Sequence, residues 1–180
     1  MPYEIPPAGI SAYAALFGIT LLAAGLPLFL IRKQGLAAAL KTSAIVAALV
    51  LPFTLGIAST LSHNELRIKG ENLSVRAAYF YDYSRNIDDF DLSRAQVGTY
   101  QSIADGQLKW RRNGLGLPGM NAGRFSTTQG RVLFALLTDR SSVLYLPAKT
   151  GPSLLISLEN PAAVLADLKQ RASAKRSARN

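Results

Sequence analysis

The sequence contains no cysteine and only one histidine, His63. Without cysteine the chain forms no disulfide, offers no thiol nucleophile and supplies no cysteine ligand to a metal. A single histidine excludes a multi-histidine metal site within one chain and argues against a histidine-based catalytic triad. The sequence shows no other catalytic motif, so we expect a protein that is not an enzyme and that has no catalytic residue, metal or cofactor.

Charged residues are almost absent from the first third of the chain, between residues 5 and 61, and are frequent after it. A formal net charge of +9 often indicates nucleic acid as a partner. Here the positive surplus lies between two apolar runs and at the C-terminus, whereas residues 62–168 are close to charge-balanced. We therefore expect no nucleic-acid partner.

Two long runs without charge, residues 10–31 and 42–61, make up most of the N-terminal third. A helix of roughly 20 apolar residues spans the hydrocarbon core of a bilayer. The sequence therefore predicts a short N-terminal tail, residues 1–9, and then a two-helix transmembrane hairpin over residues 10–61. Two buried core helices are a poor alternative because the chain is too small to cover both, and a cleaved signal peptide would need basic residues before its apolar segment.

The short segment between the two apolar runs is basic and has no acidic residue. Its cations are Arg32, Lys33 and Lys41. By the positive-inside rule these cations place the segment in the cytoplasm, and they place both termini on the opposite, outer side of the membrane. A cytoplasmic location of the C-terminal part stays open as the alternative, because basic residues also follow the second run closely.

Beyond residue 61 the sequence changes to short apolar runs separated by turn residues. The alternation in residues 66–69 and 73–79 predicts a β-hairpin, and residues 131–137 and 142–147 form the clearest later pair of strands. About seven short strands at close spacing are typical of a sandwich or a small barrel.

The last predicted element is a helix. Asn160 is a favourable N-cap and Pro161 suits the first helical position. We assign residues 62–170 to one soluble domain that ends with this helix. Residues 171–180 form a basic tail with no apolar face, which we expect to be disordered in isolation.

The stretch Trp-Arg-Arg-Asn-Gly-Leu-Gly-Leu-Pro-Gly at residues 110–119, followed by Ala-Gly-Arg-Phe at 122–125, resembles the central signature of bacterial pleckstrin-homology-like domains. The resemblance covers about residues 65–170. It implies an α+β chain in which the hairpin precedes a mainly-β domain of about seven antiparallel strands in two orthogonal sheets, with a C-terminal capping helix. It implies little about activity, and phosphoinositide binding by eukaryotic relatives is not carried over, because no residue-by-residue match supports it.

Three glycines in this stretch, Gly114, Gly116 and Gly119, match the spacing of the dinucleotide-binding motif. That motif works where it opens a helix whose N-terminus faces a pyrophosphate, whereas here Pro118 continues a loop. We therefore expect no bound nucleotide. We interpret the glycines as positive-φ positions in a long loop over residues 113–123.

The edges of this predicted loop carry a tryptophan and three arginines, which makes the loop the candidate site for a partner. A basic and partly aromatic rim accepts an anionic group or an acidic peptide, although arginines on strands are also commonly solvated or paired locally. The candidate residues are Trp110, Arg111, Arg112, Gly114, Gly116, Pro118, Gly119 and Arg124.

These observations favour a membrane-anchored, pleckstrin-homology-like interaction or scaffold module that binds a protein or another envelope component. The alternative is an accessory subunit of a membrane transport or signalling complex that acts through its transmembrane hairpin. Anionic lipid and a second copy of the chain are further candidate partners, because the tail is basic and the small residues of both apolar runs let helices approach closely.

Overall fold

The computed structural model describes residues 3–179, except for the side chains of Gln34, Arg176, Ala178 and Arg179. Two long apolar helices at the N-terminus are followed by a mainly-strand domain that contains two sheets and a C-terminal helix. The predicted α+β class is therefore confirmed.

The N-terminal hairpin begins with α1 and ends with α3, and the chain reverses between them at Gly35. The φ of Gly35 is +80°, which glycine adopts without strain. The last helix of the hairpin begins at Leu36 rather than at residue 42, because the stretch Leu-Ala-Ala-Ala-Leu before Lys41 strongly favours helix. The elements are α1, Ile10–Gly25, a 3-10 turn, Leu26–Leu30, the short α2, Ile31–Gln34, and α3, Leu36–Thr60.

Two segments of the hairpin, Ile10–Lys33 and Leu36–Thr60, are long and apolar enough to cross a membrane. Their large apolar side chains remain exposed, with Ile10 at 87%, Phe29 at 84% and Phe53 at 75%. Core helices would bury these side chains, so the structure argues against two buried core helices. The hairpin instead agrees with a two-pass membrane protein.

A pair of buried threonines joins the two long helices. The hydroxyl oxygens of Thr20 and Thr54 lie 2.5 Å apart, and each also lies 3.1 Å from a backbone carbonyl oxygen one turn earlier in its own helix. One hydroxyl therefore donates to the other, and the second donates to its own helix. Such a bond between apolar helices contributes about 1 kcal/mol to their association in lipid.

The remainder of the chain forms two sheets. The strands of the first are β1, Glu65–Lys69, β2, Asn72–Ala77, and β3, Tyr81–Asn86, in that order and antiparallel. The strands of the second are β4, Gln96–Gly98, β5, Leu108–Leu117, β6, Met120–Thr127, β7, Val132–Leu137, β8, Val143–Leu146, and β9, Ser153–Ser157. The closing helix is α4, Pro161–Arg179.

The second sheet has the order β4-β8-β9-β7-β6-β5. Residues 3–179 thus contain nine strands rather than about seven. The pairing of β7 with β9 is parallel, whereas the prediction had only antiparallel strands. The difference arises because β9 inserts between β7 and β8 instead of lying outside them.

The insertion of β9 forces the β7–β8 connection to cross over the end of that strand, where the fully buried Ser157 holds it. The Ser157 hydroxyl accepts hydrogen bonds from the backbone N–H groups of Thr138 and Asp139, each at 3.1 Å. The same hydroxyl donates to the carbonyl oxygen of Asp139. One side chain therefore satisfies three backbone groups of the crossing segment.

The six-stranded sheet is covered on both faces. Its inner face, which includes Phe134 and Leu136 of β7, packs against the first sheet and the start of α4. Its outer face, which includes Leu133 and Ala135, is covered by the connection between β4 and β5 at Ile103. The strict alternation along β7 explains why this strand is a continuous apolar run.

The domain packs directly on the hairpin. Ala12 of α1, Leu61 after α3 and Met120 of β6 are fully buried in one core cluster. The Ser11 hydroxyl donates a 3.2 Å hydrogen bond to the carbonyl oxygen of Pro118, at the turn between β5 and β6. This turn therefore lies against the first turn of α1, and we call this end of the domain the hairpin end.

The opposite end of the domain, which we call the far end, contains the β1–β2 turn at Gly70 and the β8–β9 loop at residues 147–152. The helix α4 runs toward it and continues to Arg179, beyond residue 170, where the predicted domain ends. In this extension the Lys175 ammonium group bonds to the carboxylates of Glu71 and Asp88, the latter at 2.6 Å. The disorder of residues 171–180 in isolation stays a prediction.

Candidate functional site

The predicted glycine-rich loop is a β-hairpin. Residues 113–117 belong to β5 and residues 120–123 to β6, with a two-residue turn at Pro118 and Gly119. The positive-φ prediction is correct for Gly119, at +79°, and wrong for Gly114 and Gly116, which are ordinary strand residues. A positive φ of +112° occurs instead at Gly123.

Positions 114 and 123 require glycine because the backbones of β5 and β6 come very close at this point. A Cβ atom at Gly114 would lie 2.4 Å from the carbonyl oxygen of Ala122, and one at Gly123 would lie 2.6 Å from the Cα atom of Gly114. Both distances are far below van der Waals contact. The glycines therefore serve the strand pairing and do not form a cradle for a ligand.

The eight candidate residues do not form one site. Pro118 and Gly119 face Ser11 of the hairpin and are unavailable to a partner. Trp110 is 69% exposed, and the Nε atom of Arg112 donates a 2.9 Å hydrogen bond to the Ser126 hydroxyl.

Two arginines of the predicted site line separate concave surfaces. Arg111 lines a groove of about 670 Å³ on the outer face, together with Gly116, and we call it the outer groove. Arg124 lines a cleft of about 730 Å³ at the far end, which we call the far-end cleft. Arg111 and Arg124 separate because neighbouring strand positions point to opposite faces of the sheet, and Arg124 is next to Phe125 of the outer face.

The far-end cleft is strongly basic. Among the described residues, its charged lining consists of Arg94, Arg124, Arg131 and Lys149 against one carboxylate, Asp91. The Ser93 hydroxyl donates to the Asp91 carboxylate, which lowers the pKa of Asp91, so this residue is ionised at neutral pH.

Only some of the cations in the cleft have partners. Arg94 lies 3.8 Å from Asp105, and the Lys149 ammonium group donates to the carbonyl oxygen of Asp88 at 2.7 Å. In residues 3–179 no ion pair joins Arg124 or Arg131 to a carboxylate. These two guanidinium groups are therefore available to an anionic group from outside the chain.

A third cavity, of about 540 Å³, lies at the hairpin end, and we call it the boundary cavity. Sequence reasoning missed it because its lining comes from four separate segments of the chain. Tyr3 at the N-terminus pairs with Leu66 of β1, and this pairing brings Glu4 next to Glu159. The charged or titratable lining residues are Tyr3, Glu4, His63, Glu65, Arg76, Tyr79 and Glu159.

The attachment of the N-terminal segment at the boundary cavity is expected to weaken as the pH rises. The Glu159 carboxyl shares a hydrogen bond with that of Glu4, which raises the pKa of Glu159 above that of an ordinary glutamate. A raised acid pKa means that the attached form binds the proton more tightly. The contribution of this hydrogen bond to the attachment is therefore complete below the ordinary pKa of a glutamate and is lost as the pH rises through the raised pKa of Glu159.

Amide hydrogen exchange at Glu159 measures this attachment, because its N–H donates to the carbonyl oxygen of Glu4 at 3.2 Å. After correction for the intrinsic exchange rate, protection should fall with rising pH in the natural chain and stay level in Glu159→Gln. Glu71→Gln is the control, since its carboxylate bonds to Lys175 at the far end. The same pH profile in Glu159→Gln as in the natural chain would contradict the prediction.

Three or more histidine, aspartate or glutamate side chains do not converge on one point anywhere in the described part of the chain. No family model matches the chain, and no curated protein and no solved structure shows significant similarity to it. The resemblance to bacterial pleckstrin-homology-like domains therefore stays a prediction.

Proposed function

We propose that this chain is a two-pass membrane-anchored interaction module whose far-end cleft binds an acidic segment of a partner protein. The observation that carries the proposal is the lining of the cleft, where Arg124 and Arg131 have no carboxylate partner within residues 3–179. Guanidinium groups form bidentate bonds with carboxylates, and each such pair contributes about 2 kcal/mol when partly shielded from water. Two such pairs contribute about 4 kcal/mol, which corresponds to weak and reversible binding with a Kd on the order of 1 mM.

The packing of the domain on the hairpin supports a role at a membrane surface. Ala12 and Leu61 share one buried cluster with Met120 of the domain, so this contact orients the domain relative to the hairpin. The far-end cleft then faces away from the bilayer, toward partners that approach from solution or from a neighbouring membrane protein. Restricting the module to the membrane plane raises the effective concentration of partners in that plane.

The proposal includes two finer points. The positive-inside rule, applied to Arg32, Lys33 and Lys41, places the domain outside a bacterial cytoplasmic membrane. The kinship with pleckstrin-homology-like domains is supported by the two sheets and the C-terminal helix that starts at Asn160-Pro161, whereas the parallel pairing of β7 with β9 departs from that family.

Photo-crosslinking in intact membranes tests the proposal. A benzophenone amino acid at Thr150, an exposed residue in the lining of the cleft, should give a discrete crosslinked product. Arg124→Glu should reduce the yield of this product about tenfold or more, because one carboxylate–guanidinium pair becomes a repulsion.

Lys69→Glu is the matched control for this experiment. Lys69 is an exposed cation at the end of β1, so it also lies at the far end but outside the cleft. Its substitution should leave the crosslinked product unchanged. Equal losses in both variants would indicate a general charge effect, and the absence of any discrete product at Thr150 would also contradict the proposed function.

A further inference from the structure

The outer groove, on the other side of the sheet from Arg124, brings two guanidinium groups to the same pair of strand residues. Gly116 and Asn121 lie directly opposite each other in β5 and β6. The Nη1 atom of Arg111 is 3.9 Å from the position of a Cβ at Gly116, and the Nη2 atom of Arg140 donates a 3.4 Å hydrogen bond to Asn121. Both arginines therefore lie over the Gly116–Asn121 pair, which we call the rung, in the β5–β6 ladder.

The floor of the groove at this rung is open and carries a further donor. Gly116 has no side chain, and the amide nitrogen of Asn121 lies 3.6 Å from where its Cβ would be. Arg140 is held in place by stacking over the ring of Tyr100, with 5.0 Å between the guanidinium carbon and the ring centroid. The rung thus offers a fixed set of N–H donors with room above them.

In the part of the chain that the structure describes, no carboxylate lines the outer groove. Its charged lining is entirely basic and consists of Lys109, Arg111 and Arg140. Across residues 3–179, none of these three cations forms an ion pair. The far-end cleft differs in this respect, since Asp91 lies in it and Arg94 is paired with Asp105. The chemistry of the groove therefore suits a compact anion with several oxygen atoms, such as a phosphate group.

The position of the rung places it next to the bilayer. One residue pair, Leu117–Met120, separates the Gly116–Asn121 rung from the turn at Pro118 and Gly119. The Pro118 carbonyl oxygen in this turn accepts a hydrogen bond from Ser11 in the first turn of α1. At about 3.3 Å per strand residue, the rung lies roughly 7–10 Å from this contact. The polar headgroup layer on each side of a bilayer is roughly 5–8 Å thick.

We infer that the outer groove binds the phosphate group of an anionic phospholipid in the adjoining leaflet, through Arg111, Arg140 and the amide of Asn121. This site is separate from the far-end cleft, and it holds the C-terminal part of β5, at the hairpin end of the domain, against the headgroup layer. The lipid is recognised by its phosphate and by its net negative charge, because a zwitterionic headgroup would bring a cation into a groove that has no carboxylate.

Native mass spectrometry of the full chain tests this inference. The protein is released from mixed micelles that contain equal amounts of phosphatidylglycerol and phosphatidylcholine, and the first retained lipid is identified. Phosphatidylglycerol should be retained in preference to phosphatidylcholine. Arg111→Gln should lower the phosphatidylglycerol occupancy about tenfold, the effect expected for one lost guanidinium–phosphate pair.

Two variants and two soluble probes make each outcome informative. Arg124→Gln removes the same charge at the far end and should leave the retained lipid unchanged, whereas an equal loss in both variants would overturn the inference. Within residues 3–179 the Arg111 side chain forms no hydrogen bond or ion pair that its substitution would break, and Arg111→Lys should keep part of the occupancy. Glycerol phosphate or inorganic phosphate that binds as well as phosphatidylglycerol would show that the groove takes a soluble anion, and would overturn the assignment to lipid.

Discussion

Gly123→Ala is expected to lower the free energy of unfolding of the soluble domain by about 3 kcal/mol or more. The φ of Gly123 is +112°, a conformation that costs an alanine about 1–3 kcal/mol. The new Cβ atom would also lie 2.5 Å from the carbonyl oxygen of Asn113 and 2.6 Å from the Cα atom of Gly114. Both contacts are with backbone, so the two strands must move apart.

Gly116→Ala in the facing strand is the matched control for this prediction. A Cβ atom at Gly116 would meet only side-chain atoms, at 3.6 Å and beyond, and its φ is not positive. We expect the free energy of unfolding to change by less than about 1 kcal/mol. Replacing a strand glycine reduces the conformational freedom of the unfolded chain, and this gain offsets the small cost of the new side-chain contacts. The measurement is thermal unfolding of the full chain, followed by the near-ultraviolet circular dichroism of the buried Tyr83 and Tyr145. Equal effects of the two substitutions would show that the close approach at Gly123 does not exist.

Ser157→Ala is expected to lower the free energy of unfolding by about 3 kcal/mol. The substitution leaves the backbone N–H groups of Thr138 and Asp139 and the carbonyl oxygen of Asp139 without their partner at a site that excludes water. An unsatisfied buried polar group costs about 1–3 kcal/mol, and the three groups are adjacent, so their costs are not independent.

The control for Ser157→Ala is Ser141→Ala in the same crossing segment. The Ser141 hydroxyl is exposed and donates to the Asp139 carboxylate at 2.8 Å, so its loss should change the stability by about 0.5 kcal/mol. The same thermal unfolding experiment compares the two. If Ser157→Ala costs no more than Ser141→Ala, the crossing over β9 is held by contacts other than this hydroxyl.

The glycine-rich stretch shows why local sequence signals misled the interpretation of the site. Glycine is common both in loops and at close backbone contacts, and nothing within residues 113–123 distinguishes the two. The distinction depends on which residue lies opposite, and Gly123 lies opposite Gly114 only after β5 and β6 have paired. The same pairing sends Arg111 and Arg124 to different faces.

The C-terminal tail illustrates the same limit for charge. Residues 171–179 have no apolar face of their own, so their sequence favours a solvated chain. In the structure Lys175 meets Glu71 and Asp88, which lie far away in the sequence, and α4 continues to Arg179. Neither carboxylate is recognisable as a partner until the first sheet brings them together.

The sequence by itself determined the two apolar helices, the change to a strand-rich domain and the helix that starts at Asn160-Pro161, because these depend on local properties: the length of an uncharged run, the alternation of apolar residues and the capping of a helix. Only the tertiary structure decided the parallel pairing of β7 with β9, the boundary cavity and the division of the basic residues between two surfaces. Those features depend on contacts between segments that are distant in the sequence, and only the packing of the folded chain brings these segments together.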